Sequence, residues 1–172
     1  GEHMTLYYAR LTWHQTPFIL AASETALCFI GAGKTCEEDL RAFHRRYFVD
    51  QVLVEDEVQM ATYKRAVEHY LEGNPFPICA YQMYGSPFQQ KVWQSLVELP
   101  FGSIRTYLEI AQSIGRPEAV RAVANAIASN PLLLLIPCHR IIRKDGSLSG
   151  YRGGIALKRK LLQLERVHVK ED

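Results

Sequence analysis

Long hydrophobic runs are missing from this 172-residue chain, and so is any close pairing of its cysteines. No apolar stretch approaches the roughly 18 residues that a helical membrane span needs. The N-terminus also lacks the basic and apolar regions of a secretory signal. A soluble, cytoplasmic protein with no membrane partner is therefore expected. Gly1, Glu2 and His3 ahead of Met4 read as a cloning remnant and are left out of the fold reasoning. The four cysteines, Cys28, Cys36, Cys79 and Cys138, form no CxxC pair and no other metal-like spacing. That argues against a zinc site and a disulfide framework, so reduced thiols are expected.

Net charge is low too, at +2, but it is unevenly placed. Residues 1–86 hold 7 Lys+Arg against 11 Asp+Glu, a balance of −4, and residues 87–172 hold 13 against 7, a balance of +6. A basic C-terminal half points to an anionic partner, nucleic acid first, with a merely solvated basic surface as the alternative. With 48% hydrophobic and 22% charged residues, the chain can bury an ordinary core in one generous domain or two small ones.

The first third reads as β-rich. "LYYARLTWH" and "FILAASETALCFIGAG" are short apolar or alternating runs, broken at Thr16-Pro17 and Ser23-Glu24-Thr25. Helical periodicity follows over residues 36–47 and about 57–72, the second with Val58, Ala61, Tyr63, Val67, Tyr70 and Leu71 and closing at Gly73-Asn74-Pro75. An extended segment then leads to Gly85-Ser86-Pro87, where the charge sign changes. A domain boundary is placed there, giving domains 4–85 and 86–168.

The second half opens with Ser86 as an N-cap and Pro87 at the first helical position, with Phe88, Val92, Leu96 and Leu99 on one face. Thr106 can cap a second helix that ends at Gly115, and Pro117 starts a third that runs to about Ser129. Two short helices around a glycine-containing turn form a helix-turn-helix pattern. On the third helix Val120, Val123, Ala124 and Ile127 have core spacing. Arg121, Asn125 and Ser129 are then left outside, beside the small Ala122 and Ala126. One cation among small residues suits close approach to a DNA groove; an ordinary amphipathic helix has the same spacing.

"NPLLLLIPCHRIIRKDG" follows. Leu132–Ile136 read as a buried strand or packed segment that Pro137 ends, which places Cys138 where the chain changes direction. A thiol in apolar surroundings is inert unless an imidazole, a cation or a helix N-terminus favours the thiolate. His139 is adjacent, but strand neighbours point to opposite faces, so contact needs a turn or a bridging water. A packing role and a nucleophilic role both remain open on these residues alone. Glu165, at the end of a C-terminal helix carrying Leu157, Leu161, Leu162 and Leu164, is unfavourably placed for the helix dipole and so asks for a partner. Asp145-Gly146 is a hairpin signal, and "SGYRGG" is a glycine loop.

Residues 86–166, with Pro137-Cys138-His139-Arg140 as the core, an upstream Asn-Pro and the downstream glycine loop, resemble the O6-alkylguanine-DNA alkyltransferases, also called methylated-DNA–protein-cysteine methyltransferases. The resemblance implies a mixed α/β (α+β) fold. A small ribonuclease-H-like N-terminal domain would precede a mainly helical, winged-helix-like helix-turn-helix domain. It implies a single-turnover transferase that repairs double-stranded DNA, as a monomer and with no cofactor, by moving the alkyl group from O6 of guanine to Cys138. In that scheme His139 takes the thiol proton through a water, Glu165 orients His139, and Tyr107 protonates guanine N3. Arg121 replaces the flipped nucleotide, and Asn130 ties the recognition helix to the active-site turn. Ala122, Asn125, Tyr151 and Arg152 would join Arg121 and Asn130 against DNA. Pro137, Tyr151 and Gly153 would shape the pocket. Ala124, where the family commonly has glycine, would meet the DNA-facing side, and Arg152 would touch phosphate or narrow the pocket. The alternative within reach is a non-catalytic, alkyltransferase-like lesion binder; those proteins replace the cysteine that this chain retains.

Overall fold

Strands open the chain where its alternating and apolar runs place them. In the computed structural model, which describes residues 5–169, β1 (Thr5–Trp13), β2 (Thr16–Ala22) and β3 (Leu27–Ala32) form an antiparallel meander. The β1–β2 turn is only two residues long and holds His14 and Gln15 at φ 47° and 66°, the left-handed geometry that matches the twist of a tight hairpin. All six residues of β3 are buried, so its sequence reads as a continuous apolar run with no alternation. Helix α1 (Cys36–Tyr47) then crosses the sheet and delivers β4 (Val52–Glu55) parallel to β1, giving the order β3-β2-β1-β4. Leu40 and Phe43 of α1 pack on Leu6, Ile19, Ala21 and Phe29 of the sheet. Acidic Glu37, Glu38 and Asp39 in its first turn and His44, Arg45 and Arg46 in its last both suit the helix dipole.

Helix α2 starts later than its periodicity suggests, at Ala61, and runs to Leu71. The Asp56 side chain accepts from the backbone N–H groups of Val58 and Gln59, at 3.1 and 3.0 Å, which makes a local turn in place of a first helical turn. Val58, expected on the buried face, is consequently 87% exposed. Beyond α2 the extended segment touches the sheet through one parallel bridge, Leu27 to Tyr81.

The chain divides into two compact units between Tyr84 and Gly85. In the second, α3 (Pro87–Val97) carries a full capping box in which Ser86 and Gln89 satisfy each other's backbone N–H groups. Thr106 and Glu109 repeat the device at α4 (Tyr107–Ser113), and Gly115, at φ 76°, ends that helix. After a single 3-10 turn at Pro117–Ala119, α5 (Val120–Ala128) completes the helix-turn-helix. Buried Trp93 of α3 donates its indole N–H to the Ala126 carbonyl at 2.8 Å. Ala126 is thus a packed residue, 3% exposed, and not part of the outer stripe on which spacing placed it.

The Leu132–Ile136 run is buried but is not a strand. Leu134 adopts φ 75°, and Ile136 N–H returns to Leu132 O at 2.9 Å, which folds the segment into a tight turn. A 3-10 turn at Cys138–Arg140 leads into β6 (Ile141–Ile142), parallel to β5 (Arg105–Thr106). Asp145-Gly146 does make a turn, closed by Arg143 and Ser147, but no second hairpin strand follows. Helix α6 (Ile155–Leu164) closes the unit, with Glu165 as its C-cap.

A Cβ added at Gly85 would lie 2.5 Å from the buried Trp93 ring. Gly85→Ala is therefore expected to cost about 1–3 kcal/mol by overpacking; an unchanged denaturation midpoint would show that the ring can move aside.

Candidate active site

Asn130, the second residue after α5, builds the approach to Cys138. Its side-chain oxygen accepts from Leu132 N–H at 2.8 Å, and its amide nitrogen donates to Ile136 O at 2.8 Å and to Cys138 Sγ at 3.1 Å. One buried amide therefore holds the leucine turn closed and touches the sulfur. Pro137 caps the 3-10 turn and accepts from Arg140 N–H at 3.0 Å. The turn is the reason that Cys138 and His139 do not behave as strand neighbours.

Behind the sulfur lies a buried ionic cluster. Glu165, 3% exposed, accepts from His139 Nε2 at 2.6 Å, from Arg140 Nε and Nη2 at 2.8 and 3.0 Å, and from Gly102 N–H at 2.8 Å. Arg140 also donates to Leu99 O at 2.8 Å. The dipole argument for Glu165 needing a partner is met by one cation, one imidazole and one backbone donor. Burial pushes the His139 pKa down, opposed by the Glu165 carboxylate. Burial likewise pushes the Cys138 thiol up; the Asn130 hydrogen bond and the positive charges of Lys158 and Arg152 oppose it.

The sulfur opens on a cavity of about 340 Å³, lined by Tyr107 of α4, Ala124, Ile127 and Ala128 of α5, Leu133, and Gly150, Tyr151 and Arg152 of the glycine loop. Tyr107 is hydrogen bonded to Ser149 Oγ, which accepts from Lys158 Nζ at 3.0 Å. Burial pushes the Tyr107 pKa up. Of the residues expected to shape the pocket, Tyr151 lines it, whereas Pro137 and Gly153 are not among the lining residues. Pro137 is buried as the cap of the 3-10 turn, and Gly153 occupies the far corner of the turn closed by Gly154 N–H on Tyr151 O at 2.9 Å. Ala124, half-buried, is among the residues that line this cavity.

Arg121, Ala122 and Asn125 are exposed on α5. Ser129 is half-buried, accepting from Gln89 Nε2 at 3.0 Å and donating to Ala126 O at 2.8 Å. Sequence reasoning missed Arg140, Ser149 and Lys158. Lys158 carried a signal: with Leu161, Leu162 and Glu165 it makes an i, i+3, i+4, i+7 stripe, and a lysine on an apolar stripe implies a buried ammonium. Among the described residues no group of three or more His, Cys, Asp or Glu gathers as a metal site, and no helix is long and apolar enough to cross a membrane.

Comparison with known proteins shows the family and the fold. The family described as "6-O-methylguanine DNA methyltransferase, DNA binding domain" matches residues 87–167. The inducible methylated-DNA–protein-cysteine methyltransferase of Bacillus subtilis is 40% identical over 163 residues, covering 94% of this chain and 91% of that protein. The chain belongs to the methylated-DNA–protein-cysteine methyltransferase family. The bifunctional transcriptional activator/DNA repair enzyme Ada of Escherichia coli is 36% identical over 96% of this chain, which spans only 47% of Ada. Among solved structures, the Mycobacterium tuberculosis O6-methylguanine methyltransferase superposes with a TM-score of 0.81 at 31% identity, over 98% of this chain and 97% of that one. The M. tuberculosis OGT in complex with DNA superposes with a TM-score of 0.79 at 32% identity, over 93% of this chain and 92% of that one. The mixed α/β fold is thus that of the alkyltransferases.

Because burial pushes the Cys138 thiol pKa up, iodoacetamide should modify it at pH 7 more slowly than it modifies glutathione, and faster as pH rises. Peptide mapping against time checks this; labelling as fast as the free thiol would mean that the sulfur is already a thiolate.

Proposed function

We propose that the chain repairs double-stranded DNA by irreversible, single-turnover transfer of an alkyl group from O6 of guanine to Cys138. The observation that carries this reading is a thiol on the wall of a nucleobase-scale cavity, backed by a buried imidazole–carboxylate pair. His139, its Nε2 engaged by Glu165, accepts the thiol proton through Nδ1 and a water. The sulfur attacks the alkyl carbon in line, the S–C bond forms as the C–O6 bond breaks, and Tyr107 gives a proton to guanine N3 so that the base leaves neutral. The thioether product offers no hydrolytic return, so each molecule acts once.

A base in a duplex must first leave the stack, at a cost of a few kcal/mol that an inserted side chain offsets. Arg121, exposed on the recognition helix, fills that role, with Ala122 and Asn125 beside it allowing close approach. Asn130 couples the helix to the thiol, and Tyr151 and Arg152 wall the pocket from the loop side. The unit that ends at Tyr84 is the ribonuclease-H-like domain, and the unit that begins at Gly85 is the one that binds DNA. The protein works as a monomer in the cytoplasm, a reading that its four free cysteines suit.

Intact-protein mass spectrometry after incubation with a duplex containing one O6-methylguanine tests this. Wild type should gain one methylene increment, mapped to Cys138, and Cys138→Ala should gain none while still binding the duplex. Arg121→Ala should slow transfer from duplex by about ten-fold or more yet barely change transfer from the free base; equal loss on both would remove the intercalation role.

A further inference from the structure

Lys158 is a buried cation that the transfer reaction as described does not use. It is 1% exposed, on the stripe of α6 that also holds Leu161, Leu162 and Glu165. Its hydrogen-bond partner is Ser149 Oγ, at 3.0 Å. Ser149 is itself 8% exposed, and its other hydrogen bond is to the Tyr107 hydroxyl, which lines the cavity beside Cys138. Three polar groups therefore run in a line from the buried ammonium to the cavity wall.

The donors fix one end of that line. An ammonium only donates, so Ser149 Oγ accepts from Lys158. Ser149 Oγ has a second lone pair, so its bond with Tyr107 can run either way, and the relay uses the arrangement in which Ser149 donates to Tyr107 Oη. In that arrangement the tyrosine's own hydrogen is turned away from Ser149 and toward the cavity. Were Ser149 absent, nothing in this line would set the direction of the phenol.

We propose that Ser149 is a positioning residue of the transfer reaction: it fixes Tyr107 as a proton donor toward the bound base and relays a proton from Lys158 to restore the phenol. The inference rests on the transferase reading and deepens it. The step balances as follows. As the C–O6 bond breaks, Tyr107 O–H passes its proton to the purine, Ser149 O–H passes its proton to Tyr107, and Lys158 passes one to Ser149. Lys158 ends as a neutral amine and the base leaves neutral, while the thiol proton has gone separately to His139. Solvent reprotonates Lys158 after the base has gone.

The electrostatics suit such a relay. Burial pushes the Tyr107 pKa up, so a phenolate left in this site would be unfavourable and a proton source behind it is useful. Burial lowers the Lys158 pKa to about 8, which makes it a far better acid than an exposed lysine. The charged and titratable groups that act on this line are Cys138, which pulls the Lys158 pKa up, and Arg143, which pushes it down; Arg152 and Lys158 both act on Cys138, and His139 feels Lys158.

The test is the single-turnover rate of methyl transfer from an O6-methylguanine duplex, followed by intact mass from pH 6 to pH 10. Wild type, Ser149→Ala and Ser149→Thr are compared, with duplex affinity measured on the same samples. The wild-type rate should fall as pH rises through about 8, where Lys158 loses its proton. Ser149→Ala should be slower by about ten-fold at pH 7, with affinity retained and that alkaline fall gone, and Ser149→Thr should restore both features. A Ser149→Ala rate equal to wild type overturns the relay. So does a uniform loss in both variants with the wild-type pH profile kept, since that is what a packing role gives. A wild-type protein that takes no methyl group at any pH contradicts the transferase reading itself.

Discussion

A carboxylate taken wholly out of water must be matched by donors, and the way Glu165 is matched determines the geometry of the site. Its two oxygens receive His139, Arg140 in two places and the Gly102 N–H. Those partners come from the turn after α3 and from the 3-10 turn that carries the thiol, while Glu165 itself stands at the end of α6. One ionic cluster thus ties three separate stretches of chain behind the sulfur. Such clusters are weak sources of net stability, because desolvation offsets most of the Coulombic gain, but losing one partner leaves an uncompensated buried charge and is costly. Their value here is positional: the imbalance punishes any arrangement in which His139 is not presented by Glu165.

The front of the site is set by a neutral group. Asn130 satisfies Leu132, Ile136 and Cys138 with a single amide, so the chain leaving α5 is tied directly to the thiol. A helix placed in a DNA groove therefore fixes where the sulfur stands. The same helix contributes Ala124 and Ile127 to the cavity wall and keeps Arg121 on its exposed side. In the proposed reaction, reading the duplex and receiving the base would fall to two faces of one nine-residue helix.

Much of this was legible in the residues. Capping signals at Ser86 and Thr106 and the glycine stop at Gly115 located the helices because those are local rules that tertiary contacts did not overturn. Glu165 was legible through its unfavourable position at a helix end. What failed were inferences that needed partners from elsewhere in the chain. The apolar run before Pro137 reads equally as strand or turn, and only Asn130 and the left-handed Leu134 decide for the turn. Ala126 looked like a surface alanine until Trp93 was found bonded to its carbonyl. Ser149 carried no pattern of its own, since a loop serine announces nothing until Tyr107 and Lys158 are placed on either side of it.

These constraints converge on a sulfur whose thiol form burial favours, set on the wall of a small cavity and, in the proposed reaction, converted into a thioether. The measurement that bears most directly on this is the number of methyl groups removed per protein molecule when lesion-bearing duplex is in large excess. Removal should stop at one methyl per molecule and stay there on prolonged incubation. Continued removal beyond one equivalent would mean that the thioether can be cleared, and no removal at all would leave Cys138 as a packed thiol in a lesion-binding protein.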